Sequence, residues 1–227
     1  MLFLFDIDGT LLRRLPPAHR RALCEALRSV YGIALESVDL GPTAGMTDTA
    51  ITSRLLAAAG CDSRAAEAGL TSFYTAAADA YDRIVDADLS AYRTPHAAEA
   101  LEWLAARGAS LGLVTGNIQR IAWSKLGAAG LARHFGCGAF GDEAEARDAL
   151  PPLALVRARE IFGRDFAPDQ VYVVGDTPAD IACGVASGLR TIAVATGPEH
   201  TLEHLRACAP DFVIADLRDL ETLPLPL

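Results

Sequence analysis

No apolar run in this 227-residue chain reaches the ~18–20 residues that a membrane-spanning helix needs. Basic residues are also in short supply. Lysine and arginine total 20 against 29 acidic residues, a net charge of −9. Nucleic-acid binders usually present a basic face, so that class is disfavoured. A small anionic substrate is not excluded, because a site can be locally positive inside an acidic protein. The residues Met1-Leu2-Phe3-Leu4-Phe5-Asp6 lack a basic n-region and reach a carboxylate after five residues, so they do not read as a signal peptide. Five cysteines, at 24, 61, 137, 183 and 208, include no CxxC pair. Their odd number and wide spacing fit free thiols in a reducing compartment, and a cytoplasmic location is expected.

Hydrophobic residues make up 51% of the chain, enough for a sizeable core. Residues 1–7 form an apolar run interrupted only by Asp6 and followed by Asp8. Runs without alternation fit strands buried on both faces, as in parallel sheets. Similar runs occupy 111–114, 171–174, 191–194 and 212–214. Helical patterns separate several of them, over 95–108, 152–163 and 178–188, each with proline near its start and glycine at its end. This alternation predicts an α/β doubly wound, Rossmann-like parallel sheet. Residues 14–91 break it. Alanine-rich helical patterns at 18–31, 47–60 and 64–84 occur there without a convincing buried strand. The expected layout is an α/β core of 1–13 plus 92–227, with a helical insert at 14–91.

Three of the expected strands end in polar groups. Asp6-Ile7-Asp8-Gly9-Thr10 follows the first. In an extended chain, residues i and i+2 share a face, so the two carboxylates can converge on one site. Two such acids repel unless a cation sits between them. Asp-Gly is also a common turn pair, and a solvated turn is the alternative. Gly175-Asp176-Thr177-Pro178-Ala179-Asp180 follows another strand. Thr177 suits an N-cap and Pro178 the first helical position, so the two acids could simply complement a helix N-terminus. Thr115-Gly116-Asn117 ends a third strand with donors suited to an anion, or forms a plain capping turn. Ligands in open α/β sheets bind outside the carboxyl ends of the strands, which is where all three segments fall.

These segments, in this order, resemble the haloacid dehalogenase superfamily of Mg²⁺-dependent aspartyl-phosphate phosphatases. The DxDGT motif is matched at 6–10, the strand-ending Thr at Thr115, and the Gly-Asp with a second acid at Gly175, Asp176 and Asp180. The insert lies where a C1-type cap sits, in the branch that includes phosphoglycolate phosphatases and beta-phosphoglucomutases. One motif departs, because the family's third position is usually a lysine. The chain's single lysine, Lys125, falls in the helix after Asn117, where it is expected to matter little. Arg147 stands ahead of the fourth motif and is expected to fill the role, as arginine keeps the charge on a bulkier fork.

The resemblance implies that Asp6 attacks phosphorus and that Asp8 serves as general acid and base. Mg²⁺ would be held by Asp6, Asp8 and Asp176. Thr115, Gly116, Asn117 and Arg147 would bind the phosphoryl oxygens, and Asp180 would support Arg147 or a water. The presence of Asp8 disfavours a carbon–halogen hydrolase. The lack of a lysine in 14–91 disfavours the phosphonate-cleaving relatives, which use one there. A phosphatase acting on a small phosphorylated metabolite is expected, with a sugar-phosphate mutase or a non-catalytic binding protein as alternatives. A non-catalytic relative should have lost one of Asp6, Asp8, Thr115 or Asp176, and all are present. His19 resembles a histidine that the mutases use early in the cap, and otherwise reads as a surface helix residue. The glycine-rich segment 41–48 resembles the specificity loop of such caps, which makes Thr47 and Arg54 candidate contacts for the leaving group.

Overall fold

The computed structural model describes residues 1–34 and 43–227. Its centre is a six-stranded parallel sheet: β1 (Leu2–Phe5), β2 (Ser110–Val114), β3 (Cys137–Ala139), β4 (Val171–Gly175), β5 (Arg190–Val194) and β6 (Phe212–Ile214), in the order β3-β2-β1-β4-β5-β6. β1 sits in the middle, with Phe5 level with Leu113 of β2 on one side and Val174 of β4 on the other. Every residue of β1, β2 and β4 is buried, which is why their sequences are continuously apolar rather than alternating.

β3 was not expected. It has only three residues, and Cys137-Gly138-Ala139 carries no branched or aromatic side chain to signal a strand. The helices α4 (Ala97–Ala106), α5 (Gln119–Ala128), α6 (Leu150–Phe162), α7 (Pro178–Ala186) and α8 (Leu202–Ala207) connect the strands. α8 is short and carries only one buried residue, Leu205, so no apolar period announces it. Pro151 and Pro152 lie inside the first turn of α6, where their missing N–H groups cost nothing.

Among the described residues, three α-helices lie between β1 and α4: α1 (Ala18–Tyr31), α2 (Asp48–Ala58) and α3 (Ser63–Ile84). α1 buries Ala18, Ala22, Leu23, Ala26 and Leu27, one stripe of a 3.6-residue period. α3 answers with Phe73, Ala77, Ala80 and Tyr81. The small alanines let the two helices approach closely around the phenylalanine and tyrosine rings. Their apolar cluster continues into Ile118 and Ile121 at the start of α5, so this layer rests on the element that follows β2. Arg120 of α5 bridges Asp79 and Asp82 of α3 at 2.6 and 2.7 Å, at the exposed edge of the same contact. Among the described residues, no helix is long and apolar enough to cross a membrane.

Candidate active site

Because β2, β1 and β4 are neighbours, the three polar segments that follow them meet at one edge of the sheet. Asp6 leaves β1 still tied to the sheet, its N–H donating to the Val174 carbonyl at 2.9 Å. The chain then turns tightly, with the Gly9 N–H donating to the Leu12 carbonyl at 2.7 Å. Gly9 is required twice over. Its φ is +88°, and a Cβ there would lie 2.1 Å from the Asp176 carboxylate. Thr10 uses the turn to donate its hydroxyl to Asp176 Oδ1 at 3.1 Å.

Asp6, Asp176 and Asp180 are all buried, and each offers a carboxylate oxygen within 4.8 Å of the others. Such a cluster of like charges needs a cation. Arg147, in the 3₁₀ turn Arg147–Ala149, supplies part of it. Its Nη2 lies 3.0 Å from Asp6 Oδ1 and 2.5 Å from Asp180 Oδ1. Its Nη1 donates to the Gly45 carbonyl at 3.2 Å, so the same fork holds the loop before α2. Asp180 is fully engaged, as its other oxygen accepts from the Thr177 N–H and hydroxyl at 3.0 and 2.7 Å. That leaves Asp6 and Asp176 short of positive charge. Burial pushes the Asp6 carboxyl up to about 7 despite Arg147, with Asp180 and Asp8 adding to the rise. Burial, then the charges of Asp6 and Asp180, push Asp176 up to about 8. Hard carboxylate oxygens under such repulsion are what a small divalent cation would relieve, so this donor set fits one.

Asp8 faces different company. Lys125 Nζ lies 2.6 Å from its Oδ2, and Asn117 Nδ2 donates to the same oxygen at 2.9 Å. Burial raises this carboxyl, but the Lys125 charge and the hydrogen bonds from Lys125 and Asn117 outweigh it, so Asp8 stays below the usual carboxylate range. Lys125 therefore does not occupy the unimportant helix position expected of it. It is 1% exposed and also donates to Asn117 Oδ1 at 2.5 Å. A trace of this was visible in sequence. Ile118, Ile121, Ala122, Lys125, Leu126 and Ala129 form one buried stripe, and a lysine on that stripe must find partners inside.

Thr115 is fully buried, its Oγ1 accepting from Asn117 Nδ2 at 2.7 Å. The Asn117 amide is thus committed to Thr115, Asp8 and Lys125 rather than left free for an anion. Gly116 lines the cleft, and a Cβ there would meet the Met46 carbonyl at 2.2 Å. The loop before α2 lies that close to the sheet edge. His19 also lines the cleft, between Asp48 (Nε2–Oδ2, 2.9 Å) and Lys125 (Nδ1–Nζ, 3.2 Å), and is not the surface residue of the alternative reading. Asp48, not singled out from sequence, also accepts from the Ile118 N–H at 2.7 Å. Thr47 is buried as the N-cap of α2, accepting from the Ala50 N–H at 3.0 Å and donating to the Glu145 carbonyl at 2.7 Å. That placement does not turn it toward a ligand. Arg54 is exposed beside the Met46 sulfur and is not among the residues lining the cleft. Gly41 and Pro42 of the glycine-rich segment lie outside the described residues.

The cleft over these groups holds about 560 Å³. Asp6, Asp8, Asp176 and Arg147 form one wall, and Leu23, Ile51 and Leu55 from the α1 and α2 helices form the other. A family model of haloacid dehalogenase-like hydrolases matches residues 1–188. The chain belongs to that family. A phosphoglycolate phosphatase of Pseudomonas savastanoi pv. phaseolicola is 28% identical over 222 residues, covering 96% of this chain and 78% of its own. Among solved structures, a beta-phosphoglucomutase from Clostridium difficile superposes with a TM-score of 0.72 at 17% identity, over 96% of this chain and 92% of that one. A hydrolase from Pseudomonas syringae gives 0.67 at 22%, over 97% and 95%. Both structures share the fold of this haloacid dehalogenase-like hydrolase.

Proposed function

We propose that this hydrolase is a Mg²⁺-dependent phosphatase that cleaves a small phosphate monoester through an aspartyl-phosphate on Asp6. The observation that carries the reading is the buried Asp6–Asp176–Asp180 cluster with Arg147 across it, opening on a cleft. In this reading the core of 1–13 and 92–227 carries the chemistry, and 14–91 acts as a cap. The phosphoglycolate phosphatase relatives support a small phosphorylated metabolite as substrate. Five free thiols support a reducing, cytoplasmic setting.

The Asp6 and Asp176 side chains would hold Mg²⁺, with the Asp8 carbonyl completing the set that the family resemblance implies. The bound ion would supply charge neutralisation for carboxylates and phosphoryl group alike. Arg147 holds Asp6 through one oxygen and leaves the other to attack. A bond forms between that oxygen and phosphorus while the bond from phosphorus to the leaving oxygen breaks. Asp8 gives its proton to the leaving oxygen. Asp8 rests ionised, so this proton arrives with the substrate, because a phosphate monoester has its second ionisation near pH ~6. In the second step Asp8 takes a proton from water as the water attacks phosphorus, and Asp6 and inorganic phosphate are released. General acid–base help of this type is worth about 10²–10⁴-fold. The family resemblance gives the phosphoryl oxygens to the Thr115 hydroxyl and the Gly116 backbone N–H, which would donate to them.

The test is release of inorganic phosphate from a panel of small phosphorylated metabolites, with and without Mg²⁺. Turnover of at least one monoester that stops on exhaustive chelation is expected. Full activity in chelator, or no turnover across the panel, contradicts the reading.

A further inference from the structure

Lys125 is the only lysine in the chain, and it is almost completely buried. An ammonium group has three donors and no acceptor. All three are spent: on Asp8 Oδ2 at 2.6 Å, Asn117 Oδ1 at 2.5 Å and His19 Nδ1 at 3.2 Å. Because Lys125 can only donate, His19 Nδ1 must accept, and its Nε2–H then donates to Asp48 Oδ2. The Asn117 amide is oriented by the same logic, with its oxygen toward Lys125 and its nitrogen toward Asp8 and Thr115. Asp8 is the most exposed member of this unit, its side chain 42% accessible against 21% for His19.

We infer that Lys125 is a positioning residue that aims the Asp8 carboxylate at the leaving group, with His19 and Asp48 of the helical insert bracing it from behind. The inference rests on the hydrolytic reading above, and it divides the site between two cations. Arg147 serves Asp6 and Asp180, whereas Lys125 serves Asp8 alone. With no donor left over, Lys125 does not touch substrate. It acts through Asp8, so its loss matters where Asp8 matters, namely in protonating the leaving oxygen. Asp48 accepts from both His19 and the Ile118 N–H of the core. The brace therefore spans the contact between the helical insert and α5.

The test uses the Mg²⁺-loaded full chain and aryl phosphates of graded leaving-group acidity. The readout is kcat/KM, which reports steps up to formation of the covalent intermediate. Lys125→Met should lose about 10²-fold on phenyl phosphate, the lower range for one acid–base group. On 4-nitrophenyl phosphate, whose leaving group needs little proton help, the loss should stay under about tenfold. In an Asp8→Asn background, Lys125→Met should cost no more than about threefold further, because residues that act as one unit are not additive. The double variant also removes both charges of the pair, so it remains informative if Lys125→Met alone folds poorly. Equal losses on both esters, or multiplicative losses in the cycle, would overturn the positioning role and leave hydrolysis standing. Failure of the wild-type protein to turn over either ester would remove the hydrolytic reading and this inference together.

Discussion

Replacing Arg147 by alanine tests both what holds the site together and what it does. The guanidinium lies between Asp6 and Asp180, with all three side chains less than a tenth exposed. Removing it leaves two buried carboxylates facing Asp176 with no fixed cation. Breaking a buried ion pair from one side costs about 3–5 kcal/mol, mostly because the remaining charge is stranded. The metal-free Arg147→Ala protein should therefore lose stability on that scale in urea unfolding at pH 8. The loss should shrink toward pH 5. Asp6 already has a folded-state value raised to about 7 with Arg147 present, from 3.8, and losing the arginine raises it further. A carboxyl raised in the fold favours folding below its unfolded value and loses that contribution as pH rises through its folded value. Protonated carboxyls need no cation, so the gap between variant and wild type opens with rising pH. With Mg²⁺, the chemical step should fall about 10²–10³-fold, the range for one preorganised electrostatic group. Arg147→Lys should recover only part of this, because an ammonium cannot reproduce the fork that reaches Asp6, Asp180 and the Gly45 carbonyl together. Arg147→Ala within about 1 kcal/mol of wild type in stability, and within about threefold in rate, would refute the reasoning.

Other perturbations follow from the same geometry. Metal-free wild-type protein should lose stability between about pH 4 and 8 as Asp6 and Asp176 are forced to ionise, and Mg²⁺ should restore it most at the alkaline end; a Mg²⁺ effect on Tm that is flat with pH counts against this metal site. Gly116→Ala should displace the loop before α2 and raise KM, since its Cβ would fall 2.2 Å from the Met46 carbonyl; wild-type kinetics would show that this close approach is not maintained. Cys137 and Cys183, whose thiols burial pushes up to about 11 and about 12, should resist alkylation in the native protein while Cys24, Cys61 and Cys208 react; rapid modification of all five would contradict the packing of α6 and α7 on the sheet.

Much of this architecture can be read from the order of residues, for identifiable reasons. β1, β2 and β4 are central and buried on both faces, so their sequences carry a strong apolar signal. The acids that follow them are adjacent in space because those strands are adjacent in the sheet. β3 escaped notice because a glycine flanked by cysteine and alanine has no strand signature, and its place is set by pairing with β2. The Lys125–Asp8 contact joins residues 117 positions apart. No local rule reports such a pair, and lysines on helices ordinarily face water. Thr47 misled for the opposite reason. A threonine in a glycine-rich loop suits a ligand contact and an N-cap equally well, and here the helix α2 takes it.

The central claim is that Asp6 carries the phosphoryl group during turnover. Brief incubation of the Mg²⁺-loaded protein with a phosphate monoester that it turns over, followed by acid quench, reduction of the acyl phosphate with borohydride and peptide mass spectrometry, would mark the nucleophile. The expected product is homoserine at position 6, absent from Asp6→Asn and from protein incubated without substrate. Reduction at another carboxylate, or steady turnover by Asp6→Asn protein, would contradict the account.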